Sequence, residues 1–191
     1  MRKAVIFMTI SLDGYFEGPD HDISWHNVGQ DYMPYVVEQM RSVDLILFGR
    51  RSYELMESFW PGAEDDPSET AVNHEIARKM NHVKKIVYST TLEKVAEKEN
   101  WERVSLLRRV DAAEVKRWKE EPGGDIWVGG SSLATAFVEA GLIDEFRFTI
   151  NPIVLGNGTR ILSGLGRKLD LTLVDSRKFA SGNVALTYRP A

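Results

Sequence analysis

The sequence contains no cysteine. Disulfide staples, thiolate nucleophiles, zinc ribbons and iron–sulfur clusters are therefore excluded. Histidine is scarce as well. The four stand at 21, 26, 74 and 82, none at a ligand-like spacing beside a carboxylate motif, so no metal site is expected. No apolar run approaches the roughly 20 residues that cross a bilayer. The run from Met1 to Met8 is too short for a secretion signal and has no small-residue cleavage site after it. A cytoplasmic address without a membrane partner is the expectation. Positive charge is not in excess either. Lys and Arg number 24 against 28 Asp and Glu, a net charge of −4, so no overall field steers the chain to nucleic acid. An anionic ligand must be met by local positive charge. Linkers, repeats and low-complexity stretches are also missing, so residues 1–191 are expected to form a single domain, large enough to bury a core without staples.

What the chain does have is a period that alternates between strand and helix. Lys3 to Ile10 reads as a buried strand. Asp31 to Arg41 reads as a helix with Asp31 as its cap, Pro34 in its first turn and Met33, Val37 and Met40 on one face. Asp44–Phe48, Lys85–Ser89, Val104–Leu107, Ile126–Val128 and Glu145–Asn151 read as further strands. Ser52–Phe59, the stretch marked by Val72, Ile76 and Met80, Ala112–Glu120 and Ser131–Ala140 read as helices between them. Pro61 to Thr70 reads as a solvated loop. Leu169–Asp175 and Val184–Tyr188 alternate apolar and polar residues around Gly182-Asn183, the mark of an antiparallel hairpin. The expected fold is α/β, a mostly parallel mixed sheet with helices on both faces and an antiparallel C-terminal hairpin.

Open α/β sheets bind ligands at the carboxyl ends of their strands. Three strand ends here carry unusual residues. Gly49-Arg50-Arg51-Ser52 joins a strand to a helix N-terminus, where free N–H groups, the helix dipole and two guanidinium forks suit phosphate. The alternative is a solvated turn whose arginines pair with Glu64, Asp65 and Asp66. Ser89-Thr90-Thr91 offers hydroxyls that either bind a phosphate or satisfy their own turn. Gly129-Gly130-Ser131-Ser132-Leu133 lets a backbone approach a ligand closely, or makes a tight turn and nothing more. It lacks the spacing of the Rossmann fingerprint.

These junctions, in order, together with Ser11-Leu12-Asp13-Gly14 after the first strand and the run from Gly141-Leu142-Ile143-Asp144-Glu145 to Pro152-Ile153-Val154-Leu155-Gly156-Asn157-Gly158, resemble the dihydrofolate reductase superfamily. The similarity is greatest to the branch containing the riboflavin-biosynthesis reductase domain, the RibD C-terminal type. The resemblance implies a dihydrofolate reductase-like fold and NADPH as cofactor. Gly49, Arg50, Arg51 and Ser52 would hold its phosphates, and Ser89 and Thr90 would lie near the 2′-phosphate. Gly129, Gly130, Ser131, Ser132 and Leu133 would approach the pyrophosphate and nicotinamide, across a strained and even cis Gly129–Gly130 peptide. Ser11, Asp13 and Gly14 would sit by the substrate, a pterin-like or pyrimidine-like ring, with Tyr15 and Trp25 available to stack on it.

Two departures from that pattern stand out. Asp31 falls near the place of the pterin-binding acid of the folate-reducing members, not clearly in register with it, and a helix N-cap is its other reading. Tyr15-Phe16-Glu17 follows Asp-Gly where the riboflavin-pathway members carry a basic residue. Asp13 is either a turn residue or the carboxylate that orients the ring. The expected activity is NADPH-dependent reduction of a small flat nitrogen heterocycle, Asp13 and Asp31 being the candidate catalytic acids. The alternatives are a nucleotide-binding protein without turnover on the same fold, and an interaction module that binds no nucleotide. Related domains pair, so a homodimer is expected, with the apolar C-terminal hairpin as its surface.

Overall fold

Successive side chains of the first strand leave in opposite directions, and each finds its own core. Ala4, Ile6 and Met8 point to one side of the sheet with Ile126, Val128 and Phe137. Phe7 points to the other, among Tyr32, Tyr35 and Phe179. A run apolar on both faces is what a central parallel strand requires, because helices cover both of its faces.

The computed structural model describes residues 1–95 and 98–191. In chain order the elements are β1 (Ala4–Ser11), β2 (Tyr15–Glu17), α1 (Met33–Arg41), β3 (Val43–Gly49), α2 (Arg50–Ala63), α3 (Ala71–His82), β4 (Lys84–Tyr88), β5 (Val104–Leu107), α4 (Ala112–Glu120), β6 (Asp125–Gly129), α5 (Ser131–Glu139), β7 (Glu145–Asn151), β8 (Thr159–Arg160), β9 (Leu171–Lys178) and β10 (Val184–Pro190). The main sheet runs β5-β4-β3-β6-β1-β7-β10-β9. It is parallel from β5 to β7. β10 and β9 join antiparallel at one edge. Helices α4 and α5 cover one face through Val115, Trp118, Leu133 and Phe137. Helices α1, α2 and α3 cover the other through Val37, Met40, Tyr53, Ile76 and Met80. This is the mixed sheet flanked by helices that the periodicity predicts.

The differences lie at element ends. Helix α1 starts at Met33 with Tyr32 at its N-cap and no side-chain cap. Asp31 does not cap it: Asp31 Oδ2 instead accepts the Ser181 N–H at 3.0 Å. The first N–H groups of that turn, of Tyr32 and Met33, go to Gly29 O. Helix α2 begins at Arg50 and continues through Pro61 to a buried Ala63, beyond the expected Ser52–Phe59. The hairpin turn is longer than Gly182-Asn183. Phe179 and Asn183 close it by backbone hydrogen bonds, and Gly182 takes φ +91. Strands β2 and β8 form a small antiparallel pair outside the main sheet. Among the described residues no helix is long and apolar enough to cross a membrane, and no cluster of metal-ligating side chains occurs.

Candidate functional site

Strands β3 and β6 are neighbours, with Phe48 beside Gly129, and each runs straight into a helix. The N-caps of α2 and α5 are glycines, Gly49 and Gly130, and neither helix has a side-chain cap. Helices α3 and α4 open elsewhere and are capped by Thr70 and Asp111. The contrast leaves the first turns of two helices without a side-chain cap among the described residues at the same end of the sheet, where two positive dipole ends favour an anion. Gly130 has φ +98 and ψ 141, and a Cβ there would lie 2.5 Å from Ser52 Oγ. That backbone is one glycine adopts readily, and the Gly129–Gly130 peptide is trans, not the cis bond the resemblance allowed. Rotation at Gly130 itself redirects the chain, so no cis bond is needed.

These two junctions border a cleft of about 1090 Å³ that also reaches Phe7 to Thr9 of β1 and Glu17 of β2. Of the residues singled out in the sequence, Gly49, Arg50, Arg51, Ser52 and Gly129 through Leu133 line it. Arg50 is held by Glu54 Oε1 at 2.7 Å and Thr91 Oγ1 at 3.0 Å, not by the acidic loop at 64–66. Arg51 is exposed. From the third junction the cleft takes Thr91 rather than Ser89 or Thr90. Ser89 is buried and its Oγ accepts the N–H groups of Thr91 and Leu92, so it builds the turn that presents Thr91. Thr90 is exposed beside it.

The other end of the cleft is mostly apolar, walled by Phe7, Phe16, Ile23 and Trp127. Trp127 Nε1 donates to Phe7 O at 2.9 Å, which fixes the indole plane. Thr9, Tyr32 and Thr149 form a chain of hydroxyls below it. His26 Nε2 is buried with no hydrogen-bond partner among the described residues. Burial pushes the His26 pKa below its usual range, against the opposing pull of the Phe16 backbone and Asp22.

Besides Ser89 and Thr90, six of the singled-out residues do not line this cleft: Ser11, Asp13, Gly14, Tyr15, Trp25 and Asp31. Ser11 Oγ donates to Asp13 at 2.7 Å, and the N–H groups of Leu155 and Gly156 donate to the same carboxylate. Burial raises the Asp13 pKa, but those donors outweigh it and hold it at about 2. Asp13 therefore clips the 153–158 loop to the end of β1. Gly14 supplies the turn with φ +83. Tyr15 is buried under the Arg160 guanidinium, 4.5 Å above its ring, with its OH on Gly156 O. Trp25 donates to Asp22 O and packs edge-on against His26, one layer behind the cleft wall. Asp31 is exposed at the hairpin turn. The sequence reading missed Glu17, His21, His26, Thr159 and Trp127. Glu17 stood beside a flagged segment, but Thr159 reaches it only because β2 pairs with β8, 142 residues away.

The model of the RibD C-terminal domain family matches residues 2–185. The uncharacterized protein YyaP of Bacillus subtilis is 32% identical over 188 residues, 98% of this chain and 94% of YyaP. The uncharacterized protein YwjB of the same organism is 27% identical over 98% of this chain and 97% of YwjB. Among solved structures, a putative riboflavin biosynthesis protein from Shewanella sp. PV-4 superposes with a TM-score of 0.76 at 21% identity, covering 99% of both chains. A diaminohydroxyphosphoribosylaminopyrimidine deaminase/5-amino-6-(5-phosphoribosylamino)uracil reductase from Thermotoga maritima superposes with a TM-score of 0.63 at 15% identity, covering all of this chain and 57% of that one. At such identities the structural matches speak for the fold.

Proposed function

The chain belongs to the RibD C-terminal domain family, and from that premise we propose that it is an NADPH-dependent reductase acting on a small flat nitrogen heterocycle, pyrimidine-like or pterin-like. The observation that carries this reading is the pair of uncapped, glycine-started helices, α2 and α5, opening side by side onto one cleft. Bound NADPH supplies the hydride. The chain's residues bind and orient. The N–H groups after Gly49 and Gly130 face phosphate oxygens, and the glycine at 130 lets the dinucleotide lie against the backbone. Arg50, already aimed by Glu54 and Thr91, takes the 2′-phosphate, and Arg51 takes the pyrophosphate. Ser89 and Thr90 support Thr91 in that subsite. The apolar end, walled by Phe7, Phe16 and Trp127, excludes water and holds two flat rings in contact. Asp13 and Ser11 act from behind by fixing the loops of that end. We take residues 1–191 as one such domain, acting in the cytoplasm on a free small molecule, with a second copy seated on the exposed apolar side chains Leu171, Leu173 and Val174 of β9.

NADPH at a hundred times its dissociation constant is expected to stabilise the protein by about 2.7 kcal/mol, followed by loss of NADPH absorbance with a pyrimidine or pterin acceptor. Binding without oxidation across a broad acceptor panel would favour the nucleotide-binding alternative. No thermal shift at all would reject both.

Cofactor choice gives a sharper expectation. The 2′-phosphate adds about two negative charges, and a charged hydrogen bond contributes about 1.5–3 kcal/mol, or roughly ten- to a hundred-fold in affinity. Arg50→Ala is expected to weaken NADPH by that factor and leave NADH nearly unchanged. Arg51→Ala is expected to weaken both alike. Dissociation constants at one fixed salt concentration decide. An unchanged NADPH-to-NADH ratio in both variants would remove the arginines from the cofactor site.

A further inference from the structure

Among the described residues two carboxylates line the cleft, Glu17 and Glu54. Arg50 engages Glu54 at the anion end. Glu17 lies where β2 ends, among the apolar walls, with its side chain 16% exposed. Its bonding is lopsided. Thr159 Oγ1–H donates to Oε1 at 2.8 Å, and His21 Nδ1–H donates to the same oxygen at 2.8 Å. Oε2 accepts nothing from the described residues. One oxygen is clamped and the other is left as an acceptor.

Three local features hold this arrangement. His21 and the residue before it, Asp20, both have left-handed backbones, φ 62 and φ 55. Two consecutive non-glycine residues there are uncommon, and strain of this kind gathers at functional sites. The turn brings the imidazole back onto Glu17, four residues earlier. Across the cleft wall, Gly158 has φ +132, and a Cβ on it would lie 2.1 Å from Glu17 O. Only glycine permits that approach, and the approach is what delivers the Thr159 hydroxyl. None of this is required by the main sheet, which β2 and β8 do not join.

We propose that Glu17 is the substrate-recognising residue of the cleft, its Oε2 accepting an N–H from an amino-substituted heterocycle. The inference rests on the reductase reading and narrows it. A carboxylate accepts and does not donate, so it selects a ring edge bearing amino or ring N–H groups and disfavours one bearing only carbonyls. Phe16, Ile23 and Trp127 keep water away, which strengthens the bond to the correct ring and makes its absence costly. Asp13 and Asp31 cannot take this role from where they lie, one tied to the 153–158 loop and the other to Ser181.

The test is calorimetric titration of the NADP-loaded protein with diaminopyrimidine and with the same ring carrying both amino groups dimethylated, on wild type and Glu17→Gln. NADPH affinity is measured on both proteins alongside. Wild type is expected to prefer the diamino ring by about ten- to a hundred-fold, and Glu17→Gln to lose that preference while binding NADPH within about threefold of wild type. Equal affinity for the two rings in wild type overturns the proposal. So does a preference that survives Glu17→Gln, since bulk rather than the carboxylate would then explain it. Loss of NADPH affinity in Glu17→Gln also overturns it, by assigning Glu17 to the cofactor. Wild type that binds no NADPH overturns the reductase reading itself, and this inference with it.

Discussion

Gly130→Val is expected to weaken NADPH binding by at least about a hundred-fold, roughly 2.7 kcal/mol, in a protein that still folds. Two independent effects act together. The added Cβ would lie 2.5 Å from Ser52 Oγ, at the N-terminus of α2. Relief requires the Ser52 hydroxyl to swing aside, and the valine methyls then fill the space between the two sets of N–H groups proposed to bind phosphate. The φ of +98 is also closed to a β-branched residue. Forcing another conformation costs about 1–3 kcal/mol, which for a chain of this size lowers Tm by several degrees. The readouts are the dissociation constant of NADPH and the Tm of the free protein. Unchanged affinity in the folded variant would contradict the placement of the dinucleotide. Gly49, where a Cβ would meet nothing within 4 Å, is the matched control. Gly49→Ala is expected to leave the fold intact.

Lys85→Met is expected to cost about 3 kcal/mol at pH 7 and to lower Tm by about 6–12 °C. Lys85 is fully buried. Its Nζ donates to the carbonyls of Asn81, Val83 and Glu102 at 2.8, 2.8 and 2.9 Å, and sits 4.4 Å above the Trp101 ring. It closes the C-terminal end of α3 against the start of β5. Methionine keeps the stem's volume and removes every donor, and each buried acceptor left unmatched costs about 1–3 kcal/mol. Asn81 O keeps the Glu102 N–H, which softens the loss. Burial pushes the Lys85 pKa from 10.5 down to about 7, against the attraction of Glu102. The folded-state value lies below the unfolded one, so between about pH 7 and pH 10 the unfolded chain binds more protons. The stability of wild type relative to Lys85→Met therefore rises with pH across that window. Denaturant melts of both proteins at several pH values check it, and a flat difference would contradict the account of this lysine.

Much of this architecture was legible because it rests on local rules. Val104–Leu107, Ala112–Glu120 and Glu145–Asn151 emerge with the expected bounds. Gly49 and Gly130 were legible as strand-to-helix junctions, and both line the cleft. The carboxylates were harder. Asp13 and Asp31 attract attention in sequence for their neighbours, Gly14 and the helix after residue 31. In space their oxygens are taken by backbone N–H groups of Leu155, Gly156 and Ser181, partners more than 140 residues away. Glu17 was passed over for the complementary reason. Its environment is made by Thr159 and by the backbone of Gly158, and no periodicity links a three-residue strand to a two-residue one at that distance. Ser89 shows a smaller shift of the same kind. Of the two roles open to its hydroxyl, Ser89 takes the turn-building one, and Thr91, two residues on, meets Arg50.

The proposed reaction is hydride transfer from the nicotinamide of NADPH to a nitrogen heterocycle held in this cleft. The most direct measurement is a single turnover with NADPH deuterated at the transferring ring carbon, the reduced product being weighed by mass spectrometry. An amino-substituted pyrimidine or pterin acceptor is expected to gain one deuterium on carbon, and Gly130→Val to give none at the same cofactor concentration. NADPH that binds the wild-type protein yet passes no deuterium to any acceptor of that class would contradict it.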